Sequence, residues 1–398
     1  MLRAFSLILL LILSLALPVV APAQIAKVKL SRDVSALETE FETLLKAAKD
    51  GNPEAQNNVG LAYDEGHGVA IDDVEAAIWY RRAADQGLAM AQYNLGLMYI
   101  DGEGVTQNYL EAAHLFALAA DQESAPAQNM LGQVFERGWG VDRDLENAFE
   151  LYGLAADQGY AVAQNNLGVF YDEGHGVVEI DDVEAVRLYR LAADQGHAIA
   201  QTNLGTMYFN GEGVPQNFDE AVHLFSLSAR QGYAWGQNML GYMYDEGYGV
   251  DEDDAEAVFW YQRAADQGEA VSQANLGYMY AEGQGVEADL EQAFYYFRLA
   301  ADQGHADAQN RVGLMYDEGR GVAVDDVEAI RWYERAAEQG LAVAFNNLGL
   351  MYEYGEGVDR DLNQAVQYYQ QAIEAGYAES ASLLSSICSR RSAPSSCP

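Results

Sequence analysis

Lysine is almost absent from this chain. All four, Lys27, Lys29, Lys46 and Lys49, lie before residue 50, so beyond it Arg is the only strong cation. Acidic residues outnumber Lys and Arg by 61 to 22, and the formal net charge is −39. Nucleic acid, whose phosphates need a basic face, is thereby set aside as a partner. A Ser-x-x-Lys nucleophile motif is likewise excluded after Lys49. Cysteine is scarcer still: Cys388 and Cys397, both near the C-terminus. Two neighbouring thiols supply half of a structural zinc site. A disulfide closing the tail fits them better, and a loop of that size restrains the unfolded chain by about 2–3 kcal/mol.

Apolar runs of membrane length are missing as well. Leu7 to Leu17 is almost wholly apolar, but short for a bilayer. Arg3 precedes it, and Pro18 and Ala21-Pro22-Ala23 follow. That order reads as a signal peptide over residues 1–23, cut after Ala23; an uncleaved anchor is the alternative. No Cys follows the run, so lipid attachment is not indicated. The expectation is an exported chain, periplasmic in a Gram-negative cell or secreted.

What the chain has in abundance is itself. A helix-closing glycine recurs as Gly51, Gly87, Gly159, Gly196, Gly232, Gly268, Gly304, Gly340 and Gly376. The spacing is 36 residues, with Glu123 filling one slot and one interval stretched to 37. Half the residues are apolar, which argues against disorder despite the charge. A period of this length marks stacked helical units, none able to bury its apolar face alone.

Asn52 to Gly87 shows the unit. Asn52 can cap a first helix, helix A, with Pro53 in its first turn. Helix A ends near Glu65, and Val59, Gly60 and Tyr63 share one side of it. Gly60 recurs as Gly96, Gly132, Gly168, Gly205, Gly241, Gly277, Gly313 and Gly349. A glycine inside a helix costs up to about 1 kcal/mol against Ala, so close helix contact is the expected compensation. Gly66-His67-Gly68-Val69 turns the chain and recurs in all nine units. A phosphate-cradling role for it lacks a preceding strand and a third Gly. Asp72 and Asp73 can cap helix B. Helix B carries Trp79 and Tyr80 as core and the small pair Ala83-Ala84.

The run from Ala91 to Val105, followed by a helix with an aromatic pair and Ala-Ala-Asp-Gln, resembles the Sel1-like repeat, a relative of the tetratricopeptide repeats. The likeness spans nine units, residues 52–376. It implies an all-α solenoid that scaffolds protein complexes, with exported bacterial members implicated in protein binding or envelope work. Some cysteine-rich members are assigned β-lactam binding or hydrolysis. They carry a disulfide in each repeat, which this chain lacks. Residues 24–51 read as an N-terminal capping helix and 377–398 as a C-terminal capping helix with a loose tail.

No catalytic constellation emerges, and nothing in the residues calls for a cofactor. The six histidines are scattered in turns and on variable helix faces. Acidic turns such as Asp245-Glu246 with Asp251 to Asp254 are oxygen-rich, but EF-hand spacing is absent. Weak calcium binding and a diffuse cation atmosphere are both compatible with them. The acidity itself reads either as a solvated surface or as recruitment of a basic partner.

The candidate binding surface is the stripe of helix A opposite its buried side, concave in tetratricopeptide-like stacks. It holds the residues three before, one after and four after the mid-helix Gly. The first slot gives Asn57, Tyr93, Asn165, Asn238, Asn310 and Asn346; the second, Leu61, Leu97, Tyr242 and Tyr278; the third, Asp64, Asp172, Asp245 and Asp317. Ile100 and Phe209 break the acidic slot, as does Ala281, and mark an expected apolar anchor pocket. Asn residues in such a ladder either bind a peptide or bridge neighbouring helices. The functional reading is a non-enzymatic scaffold for a protein or peptide, a basic one where the acidity serves recruitment. Glycan or peptidoglycan recognition through the tyrosines is the alternative, and a cell-wall or β-lactam hydrolase the third.

Overall fold

A computed structural model describes residues 34–390 and 393–397. The signal-peptide reading falls outside them. Two compact units divide between Arg143 and Asp144.

The first unit holds α1 (Val34–Lys49), α2 (Pro53–Glu65), α3 (Asp73–Ala84), α4 (Ala89–Asp101), α5 (Tyr109–Ala120) and α6 (Ala125–Arg137). The second holds α7 (Leu145–Asp157), α8 (Ala161–Glu173), α9 (Asp182–Asp194), α10 (Ala198–Asn210), α11 (Phe218–Arg230), α12 (Ala234–Glu246) and α13 (Asp254–Ala265). It continues with α14 (Ala270–Glu282), α15 (Leu290–Asp302), α16 (Ala306–Glu318), α17 (Asp326–Glu338), α18 (Ala342–Tyr354), α19 (Leu362–Glu374) and α20 (Ser380–Cys388). Even-numbered helices from α2 to α18 are the A helices of repeats 1 to 9, and odd-numbered ones from α3 to α19 the B helices. The third repeat places its A helix in the first unit and its B helix in the second.

The capping chemistry explains the boundaries. Asn52 accepts from the Ala55 amide at 2.7 Å, and Asp72 from Glu75 at 3.1 Å. Helix A then stops at a left-handed glycine, Gly66 in the first repeat. Where Glu123 replaces the inter-repeat glycine it keeps the left-handed backbone, φ 62°. An L residue there is strained by roughly 1–2 kcal/mol.

The Gly-x-Gly turn has a packing role. A Cβ on Gly104 would sit 2.0 Å from the Asp73 carbonyl oxygen, so each turn lies directly on the start of the preceding helix B. In the stretched fourth repeat the same approach is absent at Gly176.

The mid-helix glycines meet aromatic rings of their own repeat. A Cβ at Gly168 would lie 2.7 Å from the Tyr189 ring, and one at Gly96 2.6 Å from Phe116. These rings, with the small alanines of helix B, form the core: Tyr80, Phe116, Tyr189, Phe225 and Tyr261 are almost wholly buried.

A glutamine relay adds a polar seam. Gln86 donates to Gln56 at 2.7 Å, and Gln56 donates to the Ala48 carbonyl at 3.1 Å, joining α3, α2 and α1. The pair recurs along both units, as Gln122–Gln92 and Gln267–Gln237. In the ninth repeat both partners are lost together, to Phe345 and Ala375.

At the C-terminus, α20 buries Ile387 against the last repeat. Cys388 and Cys397 are disulfide-bonded, with Cα atoms 5.6 Å apart. Arg390 reaches Glu353 at 2.8 Å.

Candidate functional site

Helix A of each repeat offers three candidate rows, and the structure treats them differently. The asparagine row lies inside. Asn57, Asn165, Asn238, Asn310 and Asn346 are all under a tenth exposed. Each accepts from the next repeat or from the C-terminal cap: Asn94 to Asn57 at 3.0 Å, Asn203 to Asn165 at 3.0 Å, Asn347 to Asn310 at 2.9 Å. Asn275 and Ser272 both donate to Asn238, and Ser380 to Asn346. The groove-lining reading of these asparagines is corrected: they are inter-repeat bridges. Burial without a partner would cost each amide about 1–3 kcal/mol, and the bridges remove that cost. Tyr93, in the same slot, is half-buried with its ring 5.9 Å from Phe116.

The acidic row is engaged as well. Tyr80 donates to Asp64 at 3.2 Å, Tyr189 to Asp172 at 3.0 Å, Tyr261 to Asp245 at 3.2 Å and Tyr333 to Asp317 at 3.3 Å. Tyr369 donates to Glu353 at 2.9 Å. The three breaks in this row have a structural reason. Where the slot holds Ile100, Phe209 or Ala281, the ring under the glycine is Phe116, Phe225 or Phe297 and has no hydroxyl to satisfy.

Burial raises the pKa of Asp64, Asp172 and Asp317, against the pull of the tyrosine hydrogen bond. Asp245 is pushed up to about 6, by burial first and then by Glu246. Its tyrosine partner, Tyr261, is held well above the usual phenol range by burial and by that carboxylate.

The middle row stays open. Leu61 is 37% exposed, and Leu97, Tyr242 and Tyr278 are half-buried. Tyr278 is tied into a cluster, donating to Asp307 and accepting from Arg311 Nε at 2.8 Å. The Arg311 guanidinium also lies 4.9 Å from its ring.

Of the expected anchor residues, Ile100 is only 5% exposed and offers no pocket. Phe209 does. Its ring lies 6.1 Å from Tyr242, 5.4 Å from Phe218 and 5.6 Å from Tyr248. Phe218 opens α11, and Tyr248 is the middle residue of the next Gly-x-Gly turn. Their rings are 4.9 Å apart. The sequence reading missed both, although each occupies a slot that is recognisable in every repeat. The same two slots stack Tyr109 on Trp139 in the first unit, at 5.8 Å.

Among the described residues no three His, Cys, Asp or Glu side chains converge on a metal geometry, and no helix is long and apolar enough to cross a membrane. His197 and His305 are accounted for: each accepts a backbone amide at the start of its helix A, at 3.2 Å. Burial lowers the pKa of both.

The Sel1 repeat model matches nine successive segments, from residues 53–88 to 342–377. A Sel1 repeat protein from Oxalobacter formigenes is similar in structure, with 34% identity and TM-score 0.56 over 83% of this chain and 98% of that one. So is c5321, a protective antigen present in uropathogenic Escherichia coli strains and displaying an SLR fold. It is 33% identical with TM-score 0.54, over 89% of this chain and 82% of its own. Among curated proteins, none matches.

Proposed function

Because the chain belongs to the Sel1 repeat family, we propose that it is a non-enzymatic scaffold whose helix-A face binds a protein or peptide. One observation carries this reading. In each unit the slot after the mid-helix glycine presents an apolar or tyrosine side chain that remains partly exposed: Leu61 and Leu97 in one, Tyr242, Tyr278 and Leu314 in the other. In the two neighbouring slots the Asn and the Asp or Glu side chains named above are engaged by hydrogen bonds within the fold. A row of one accessible side chain per repeat suits an extended partner.

Export belongs to the same proposal. The apolar run from Leu7 to Leu17 and the Cys388–Cys397 disulfide support it, since such bonds persist in oxidising compartments. A similar protein described as a protective antigen fits a chain that leaves the cytoplasm. The periplasm or the extracellular space is the proposed location.

A photo-crosslinking residue placed in this slot, at Leu97, at Thr206 of the fifth repeat or at Tyr242, tests the face. The same partner should be trapped from envelope extract at all three. A residue at the exposed helix-B positions Leu118 or Leu191 should trap none. Crosslinks confined to helix B would overturn the assignment.

A further inference from the structure

The acidic slot reads Asp172, Phe209 and Asp245 in repeats 4, 5 and 6. The middle member is the hub of four rings, with Phe218, Tyr242 and Tyr248, all half-buried and so partly open to solvent. Four aromatic side chains gathered at an exposed turn exceed what that turn needs. In other repeats the position of Phe218 is filled by Asp, Leu or, once, Tyr109, and that of Tyr248 by His, Glu, Gln, Arg or, once, Trp139. Beside Tyr109 and Trp139 the two helix-A slots hold Ile100 and Gln133, so the four-ring cluster forms only around Phe209.

Both flanks of the cluster are acidic. On one side Asp172 feels Glu212, Glu173 and Asp182 as like charges. On the other, Asp245 feels Glu246, Asp254 and Glu252. Asp254 Oδ1 is buried without a hydrogen-bond partner. Arg230 is the only Lys or Arg between Gly205 and Gln262, and it lies at the far end of α11 from the turn. The carboxylates of Glu212, Glu246 and Glu252 therefore have no Lys or Arg from their own repeats at the turn, and on the Asp172 side Arg187 is engaged by Glu184 and Arg190 by Tyr208.

We propose that this patch seats a cationic peptide segment, with an aromatic side chain on the rings and an Arg or Lys toward each acidic flank. The proposal rests on the scaffold reading and names its partner chemistry. Charge complementarity selects the occupant: a cation relieves the flank repulsion, and a guanidinium or ammonium can also lie over a tyrosine face. Geometry sets the spacing. Stacked helices lie roughly 8–10 Å apart. An extended chain covers about 3.3 Å per residue, so the cations fall about three positions either side of the aromatic anchor.

The probe is a labelled heptapeptide with tryptophan at its centre, arginine at each end and glycine between, titrated into the full mature chain by fluorescence anisotropy. Saturable binding is expected, weaker at high salt, and lost when the arginines become glutamates. Tyr248→Ala and Glu212→Lys, both on the surface turns, should each weaken it about tenfold or more with unchanged circular dichroism. No binding to the wild-type chain, equal binding of the glutamate peptide, or full affinity in both variants would overturn the proposal. Crosslinks from Thr206 and Tyr242 to a native partner would then leave the scaffold reading standing. Their loss as well would remove both.

Discussion

Tyr189 donates its hydroxyl hydrogen to Asp172 at 3.0 Å, and its ring lies where a side chain on Gly168 would be. Glycine, tyrosine and carboxylate form one device. The ring enters because the glycine leaves space, and its hydroxyl then needs an acceptor one turn further along helix A. All nine repeats obey the rule at the level of residue choice. Tyrosine accompanies Asp or Glu in six of them, and phenylalanine accompanies Ile100, Phe209 and Ala281 in the others.

Filling the glycine should break the device. Gly168→Val places a branched side chain into the Tyr189 ring, and overpacking of this kind costs about 1–3 kcal/mol. A β-branched residue adds a little through helix propensity. Urea unfolding should show the loss. An unmoved midpoint would mean that the ring yields freely.

The hydrogen bond should show as coupling. Tyr189→Phe leaves a half-buried carboxylate short of a donor, and Asp172→Ile leaves a buried hydroxyl short of an acceptor. Each should cost about 1–3 kcal/mol. The double variant, which copies the second repeat, should cost less than the sum, by about 1 kcal/mol. Strict additivity would contradict the pairing.

Asp245 should make the fold more stable in mild acid. Its folded pKa of about 6 lies above the ordinary carboxylate value of 3.8. Between those values the folded chain keeps a proton that the unfolded chain has released. Its contribution is therefore complete below about pH 4 and lost as pH rises through about 6. Asp245→Asn keeps an acceptor for Tyr261 and removes the charge. It should exceed the wild type in stability at pH 7, with the difference closing toward pH 4. A less stable variant at pH 7 would show that the charged form is favoured.

Glu123 is the odd residue in a glycine slot, at φ 62°. Glu123→Gly should stabilise the first unit by up to about 1 kcal/mol, the relief of strain exceeding the added freedom of the unfolded chain. A lower thermal midpoint would contradict that balance.

The period, the cap residues and the close approach at the glycines were legible because each is local or repeats in register. Asn52, Asp72 and Gly60 act in the structure as their positions in the repeat require. The site was legible only in part. Asn165, three before Gly168, and Asp172, four after it, lie by helical spacing on the glycine's own side, so the expected groove stripe assigned them to the wrong face. Asn203 of the next repeat covers the first, and Tyr189 of the paired helix covers the second. The second contact had a signal, the matched change of Tyr to Phe with acid to apolar. Phe218 and Tyr248 are 30 positions apart in the chain. They meet because each Gly-x-Gly turn rests on the previous helix B, a register that only the folded stack supplies.

On the proposed function, helix A holds the stack with some residues and faces a partner with others. The most direct test measures unfolding midpoint and affinity for the crosslinked partner side by side in Asn165→Ala and Tyr242→Ala. Asn165→Ala should lower the midpoint and leave affinity nearly unchanged, while Tyr242→Ala should weaken binding about tenfold or more with a much smaller change in midpoint. Loss of binding in Asn165→Ala at full stability, with Tyr242→Ala binding normally, would contradict the division.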